Sequence, residues 1–155
     1  MSLSNLLEEA IGAHLLRSSE WAKPVALYLA LLKADPGETG VLDEVTGGDY
    51  ARLAAGPDDA LWSPPVNGNK QFANAVDLTF AAPAADWGRV SHFALMAALA
   101  GGTMLAYAPL HDTNGWSVGV YCGAADFMGR TYIGMGVAVA LNAGAAMVYS
   151  ARALD

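Results

Sequence analysis

The spacing of apolar positions sets the first expectations. Leu3, Leu7, Ala10 or Ile11, and Leu15 recur at the interval of one helical face, which predicts a single amphipathic helix over residues 4–17. Ser4 stands where a hydroxyl can accept the first free amides, Glu8 and Glu9 suit the positive helix start, and Arg17 falls near the negative end. Val25 to Leu32 is apolar throughout and is stopped by Lys33-Ala34-Asp35-Pro36-Gly37. A run this short between turn residues predicts a strand buried on both faces.

Further along, Val45 and then Thr46-Gly47-Gly48-Asp49 predict a turn into a short strand over Tyr50–Leu53. Residues 56–70 contain Pro57, Pro64 and Pro65 and read as loop. Val76, Leu78 and Phe80 alternate as one face of a strand does. His92 to Leu99 has good helix propensity, yet Gly101-Gly102 separates Val90–Met96 from a strand-like run over Thr103–Leu110, and two apolar runs around a Gly-Gly turn favour a hairpin. Trp116–Tyr121, Tyr132–Leu141 and Ala145–Ser150 add strand-like runs, the last two flanking Asn142-Ala143-Gly144. Many short strands with glycine-rich turns predict a mainly β fold: an antiparallel β-sandwich or barrel-like domain with one N-terminal amphipathic α-helix. Trp87 lies between two strands, where a large ring can close one end of the core.

Composition narrows the function classes. Hydrophobic residues make up 54% of the 155 positions and charged residues 15%, so general disorder is excluded. The single cysteine, Cys122, excludes an intramolecular disulfide scaffold. A net charge of −7 argues against nucleic acid as a partner. Residues Met1 to Glu9 lack the basic start of a secretory signal. Thr131–Ala151 carries no charge, but its glycines and period-two runs read as a buried hairpin rather than a membrane span. The charges themselves are uneven: residues 1–60 hold ten acids and four bases, whereas Thr103–Ala151 holds only Asp112, Asp126 and Arg130. Such a stretch is expected to be covered, by the rest of the chain or by other chains.

Candidate chemistry is sparse. His14, His92 and His111 show no metal-ligand spacing. His111-Asp112 are neighbours whose side chains diverge in an extended run. Cys122 lies among Val120, Tyr121, Gly123 and Ala124 and reads as a small buried hydrophobe; a small hydrolase would need it beside His92 or His111. Gly134-x-Gly136 lacks the third glycine of a dinucleotide site. No enzyme, cofactor or metal is therefore expected. Trp62 and Trp116 lie in loops, where aromatics either pack or anchor a partner, a glycan included.

Several segments resemble a family of small tailed-phage virion proteins that are often labelled tail fibre proteins. They are Met1-Ser2-Leu3-Ser4-Asn5-Leu6-Leu7-Glu8, Val25 to Leu32, Asp35-Pro36-Gly37-Glu38, Glu44-Val45 with Gly47-Gly48-Asp49-Tyr50-Ala51-Arg52, Asp86 to Leu95, and Gly101 to Tyr107. Their order holds over roughly residues 1–110. The resemblance implies one domain over residues 1–155, with a β core over 25–110, an added or remodelled segment over 111–141, and a final strand within 142–155. It also implies a structural role in a virion assembled in the bacterial host cytoplasm. With no stalk repeat or coiled coil in the sequence, the expected role is a head decoration or cement protein. Such a protein would bind the major capsid protein and copies of itself, as a trimer by analogy, with Trp116, Tyr121, Phe127 and Tyr132 as interface anchors. The alternative is a tail fibre, tail-tip or baseplate component that binds a receptor or glycan.

Overall fold

The computed structural model describes residues 2–64, 73–76, 78, 80–81, 83–110, 120–122, 132–139 and 147–153. The chain opens with β1 (Ser2–Leu3) and α1 (Asn5–Leu16), followed by β2 (Leu27–Leu32) and β3 (Leu53–Gly56). Three short strands come next: β4 (Trp62–Ser63), β5 (Ala73–Asn74) and β6 (Gly88–Val90). Then come β7 (His92–Met96), β8 (Met104–Pro109), β9 (Val120–Cys122), β10 (Tyr132–Val139) and β11 (Met147–Ala153). Among the described residues the protein is mainly β with one helix, as its patterning predicts.

The main sheet has the order β1-β8-β7-β2-β3, antiparallel throughout. The uninterrupted apolar run of β2 follows from its place inside this sheet, where alternate residues enter different cores. Leu29 and Leu31 join Val45, Trp87, Phe93 and Ala108 in one core. Ala30 and Leu32 join Ala94, Met96 and Met104 in the other. Each fully buried large side chain contributes about 1.5–3 kcal/mol. The β7–β8 hairpin pairs Phe93 with Ala108 and Ala94 with Tyr107, so the Gly101-Gly102 reading holds.

Leu78, Phe80 and Trp87, all 4% exposed, belong to the first core. The Tyr50 ring stands edge-on to Trp87 with centroids 5.4 Å apart and stacks on Phe80 at 6.3 Å. Trp87 thus closes a core end, as its position between strands suggests. Smaller two-stranded sheets pair β4 with β5, β6 with β9, and β10 with β11. In the last, Val137 faces Tyr149 and Val139 faces Met147 across an antiparallel register, which is the hairpin expected around Asn142. Whether that hairpin is buried lies outside what is described. Among the described residues no helix is long and apolar enough to cross a membrane.

Four details depart from the sequence expectations. The strand expected at Tyr50–Leu53 begins at Leu53, because the Tyr50 amide closes a turn onto the Gly47 carbonyl at 3.0 Å and both Tyr50 and Arg52 direct their side chains inward. Of the alternating trio, Leu78 and Phe80 are buried but Val76 is 48% exposed, and the local strand is confined to Ala73–Asn74. β2 starts at Leu27, leaving Val25 at 98% exposure. The helix forms where predicted, yet its apolar stripe is buried only at the start: Leu7 is 9% exposed, Ile11 half-buried and Leu15 72% exposed. The helix leaves the sheet instead of lying along it.

Candidate functional site

The densest polar constellation joins three segments singled out in the sequence: Glu44 to Arg52, Asp86 to Gly88, and the Gly101-Gly102 turn. Arg52 is its hub. The Arg52 Nε donates to Glu44 Oε1 at 2.8 Å and its Nη2 to Glu44 Oε2 at 2.6 Å, while Nη1 donates to the carbonyls of Ala98 and Gly101, both at 2.7 Å. The Tyr50 hydroxyl donates to Glu44 Oε1 at 3.0 Å and accepts the Leu31 amide at 2.9 Å. Glu44 itself bridges to Leu32 of β2. Loop, central strand and hairpin turn are therefore latched by one guanidinium, one carboxylate and one phenol.

Such a group costs desolvation and is stabilising only when every charge is matched. Here a two-pronged carboxylate contact and two carbonyls satisfy the guanidinium. Burial pushes the Glu44 carboxyl up, but hydrogen bonds from Arg52 and Tyr50 outweigh it and hold the group below its ordinary 4.5. The hydrogen bond to Glu44 raises Arg52 above its ordinary value against the effect of burial. Burial pushes the Tyr50 phenol well above its ordinary 10.0; the Leu31 amide opposes this and the Glu44 charge adds to it.

Trp87 ties the same loop from the other side, its Nε1 donating to the Gly48 carbonyl at 3.0 Å. The chain approaches closely here. Gly48 has φ +55, and a Cβ on it would lie 2.6 Å from the Ala85 carbonyl oxygen and 2.9 Å from Trp87 Nε1. Only glycine meets both demands. The groups of the latch bond to one another, with the Arg52 side chain 4% and the Glu44 side chain 20% exposed.

A second group surrounds His92 at the start of β7. The Ser91 hydroxyl donates to the Lys33 carbonyl at 2.9 Å, and His92 Nδ1 lies 2.9 Å from the same hydroxyl oxygen. His92 Nε2 is 3.9 Å from Asp35. Burial lowers the imidazole below its ordinary 6.5, and Asp35 partly offsets this. The Ser91 hydroxyl thus ties the link between β6 and β7 to the residue that follows β2. β9 places Cys122 opposite Gly88, four residues before His92 in the chain. His111 and Asp112 lie outside the described residues.

The surface features lie around α1. At its base, Ser4, Asn5, Leu6, Glu38, Leu42 and Met104 help line an open groove of about 460 Å³, with Glu9 on its wall. The base is fixed by the Ser4 hydroxyl, which accepts the Leu7 amide at 3.3 Å and donates to the Met104 carbonyl at 2.6 Å. At the far end, Leu16 is 87% and Trp21 37% exposed, and the Trp21 amide meets His14 Nδ1 at 3.4 Å. Sequence reasoning placed Leu15 in the buried stripe and left Trp21 unassigned. The signal for an uncovered end was the polar Arg17-Ser18-Ser19-Glu20 run, which supplies no apolar neighbour to cover it.

Of the anticipated interface anchors, Tyr121 stands in β9 opposite Arg89, and Tyr132 opens β10 opposite Ala153. Trp116 and Phe127 lie outside the described residues. Trp62 is half-buried, its Nε1 donating to the Ala55 carbonyl at 2.7 Å.

Residues 2–120 match a family model described as "Podophage GP4 fiber I protein gp80". No curated protein matches the chain.

Proposed function

We propose a fibre role for this chain from one premise: it belongs to the podophage GP4 fiber I protein gp80 family, whose model spans residues 2–120, more than three quarters of the sequence. Membership makes it a bacteriophage structural protein of fibre type, consistent with a place in the virion. In our reading it is a component of the tail apparatus, in a fibre, tail tip or baseplate. Its work is mechanical and adhesive rather than catalytic, and its partners are copies of itself and neighbouring virion proteins.

The family match is the observation that carries this reading. It favours the fibre over the head decoration protein that the compact, stalk-free sequence suggests. The latch fits the same role, since a connected polar network rigidifies a domain. In the receptor-binding variant of this role, Trp62 and Trp116 beside the polar loops would contact a receptor or glycan, whereas Trp116, Tyr121, Phe127 and Tyr132 would meet copies of the chain or neighbouring virion proteins.

The test is position in the intact particle. Gold-labelled antibody against the purified chain should mark the tail or its fibres in negative-stain micrographs. Label distributed over the head would overturn the reading in favour of decoration, with the major capsid protein and a trimer of this chain as the assembly to examine.

A further inference from the structure

The exposed end of α1 and the groove at its base are complementary to each other, yet they belong to different places on the molecule. Residues 13–25, from the end of α1 towards β2, form an arm that carries Leu15, Leu16, Trp21 and Val25, exposed by 72%, 87%, 37% and 98%. Beside these stand the exposed cations Arg17 and Lys23, against the single acid Glu20. The groove carries the opposite charge: Leu6, Leu42 and Met104 line it together with Thr39 and Thr103, and the exposed carboxylates Glu9 and Glu38 stand among them. A volume of about 460 Å³ falls in the range of a site that holds several side-chain-sized groups.

The arm lies beyond its own groove. Leu16 is seven residues past Glu9, the last groove residue on α1, about 10 Å along the axis at 1.5 Å per residue, and the Trp21 amide is bonded back to His14. We propose that the arm of one chain seats in the groove of a second copy, with Leu16 and Trp21 against Leu6, Leu42 and Met104, and Arg17 and Lys23 paired with Glu9 and Glu38. Arm and groove are different patches, so the contact is head-to-tail. Repetition of such a contact yields a closed ring or an open filament rather than an isolated pair. This goes beyond the fibre assignment and holds or fails independently of where the protein sits in the particle.

Sedimentation velocity on the full chain tests it, with far-UV circular dichroism confirming that each variant is folded. The wild-type protein should associate with rising concentration, and Leu16→Glu should weaken that association by about tenfold or more. Reversing the arm (Arg17→Glu with Lys23→Glu) and reversing the groove (Glu9→Lys with Glu38→Lys) should each weaken association at low salt. Mixing the two reversed proteins should restore it, between unlike chains only.

A wild-type chain that stays monomeric at about 100 μM overturns the proposal. Association that survives Leu16→Glu and both reversals overturns it too, and assigns the contact to another surface such as Trp116 and Tyr132. If the isolated chain is monomeric while Leu16→Glu prevents its incorporation into particles, the arm's partner is a different virion protein.

Discussion

The latch and the arm invert the usual distribution of side chains. Around Arg52, whose side chain is 4% exposed, charged and hydroxyl groups are turned inward and bonded to one another. Along residues 13–25, leucines, a valine and a tryptophan are turned outward and unmatched. The first region has spent its bonding capacity within the chain, and the second has kept it. In a chain with only 15% charged residues, what separates a holding region from a contact region is whether its groups are satisfied, rather than their polarity.

Breaking the latch should have the largest effect. Arg52→Ala leaves Glu44 without its counter-charge and two carbonyls without donors, and is expected to cost about 3–5 kcal/mol in urea unfolding. A loss under about 1 kcal/mol would mean that the network is ornamental. Next comes Gly48→Ala, which forces a Cβ against the Ala85 carbonyl at a positive φ; about 2 kcal/mol is expected, together with a change in Trp87 fluorescence.

Acid should act in two stages. Because His92 titrates below its ordinary 6.5 in the fold, the unfolded chain binds the proton first. Its contribution is whole above about pH 6.5 and fades as pH falls below that. Glu44, held below 4.5, contributes fully above that value, and its contribution is lost as pH falls through the folded one. His92→Gln should erase the upper stage of a stability-versus-pH curve and leave the lower intact. Smallest of all, Leu16→Ala on the arm should shift unfolding by no more than about 0.5 kcal/mol. A larger loss would show that the arm is packed in the isolated chain, and the contrast between the regions would collapse.

The regular elements were legible because their signals are local. The Ser4 cap, the apolar run Val25–Leu32 that contains β2 and the Gly-Gly hairpin each announce themselves within a few positions. The latch was not, although its residues had been singled out by resemblance. The partners of Arg52 lie 8, 46 and 49 residues away, and no local pattern reports such distances. The helix misled for a related reason: spacing identifies which residues share a face, but whether anything lies opposite depends on the angle at which the helix leaves Ser4. Leu7 has the sheet beneath it, and Leu15, two turns on, does not. The first strand-like residues after Gly47 failed as a strand because Tyr50 and Arg52 are polar groups with inward partners, a pairing that alternation cannot encode.

Ser4 also helps determine how the molecule answers a pull. Force applied to the arm divides between its two ends. Through α1 it reaches the sheet margin by a small set of bonds, Ser4 to the Leu105 and Met104 carbonyls and the Asn5 amide to the Glu38 carbonyl, ahead of the two-residue strand β1. At the other end it passes along the backbone into β2, which is held by ladders to β3 and β7. The short margin is the weaker anchor and the inner strand the stronger, so a pull on the arm is carried in part by the centre of the sheet.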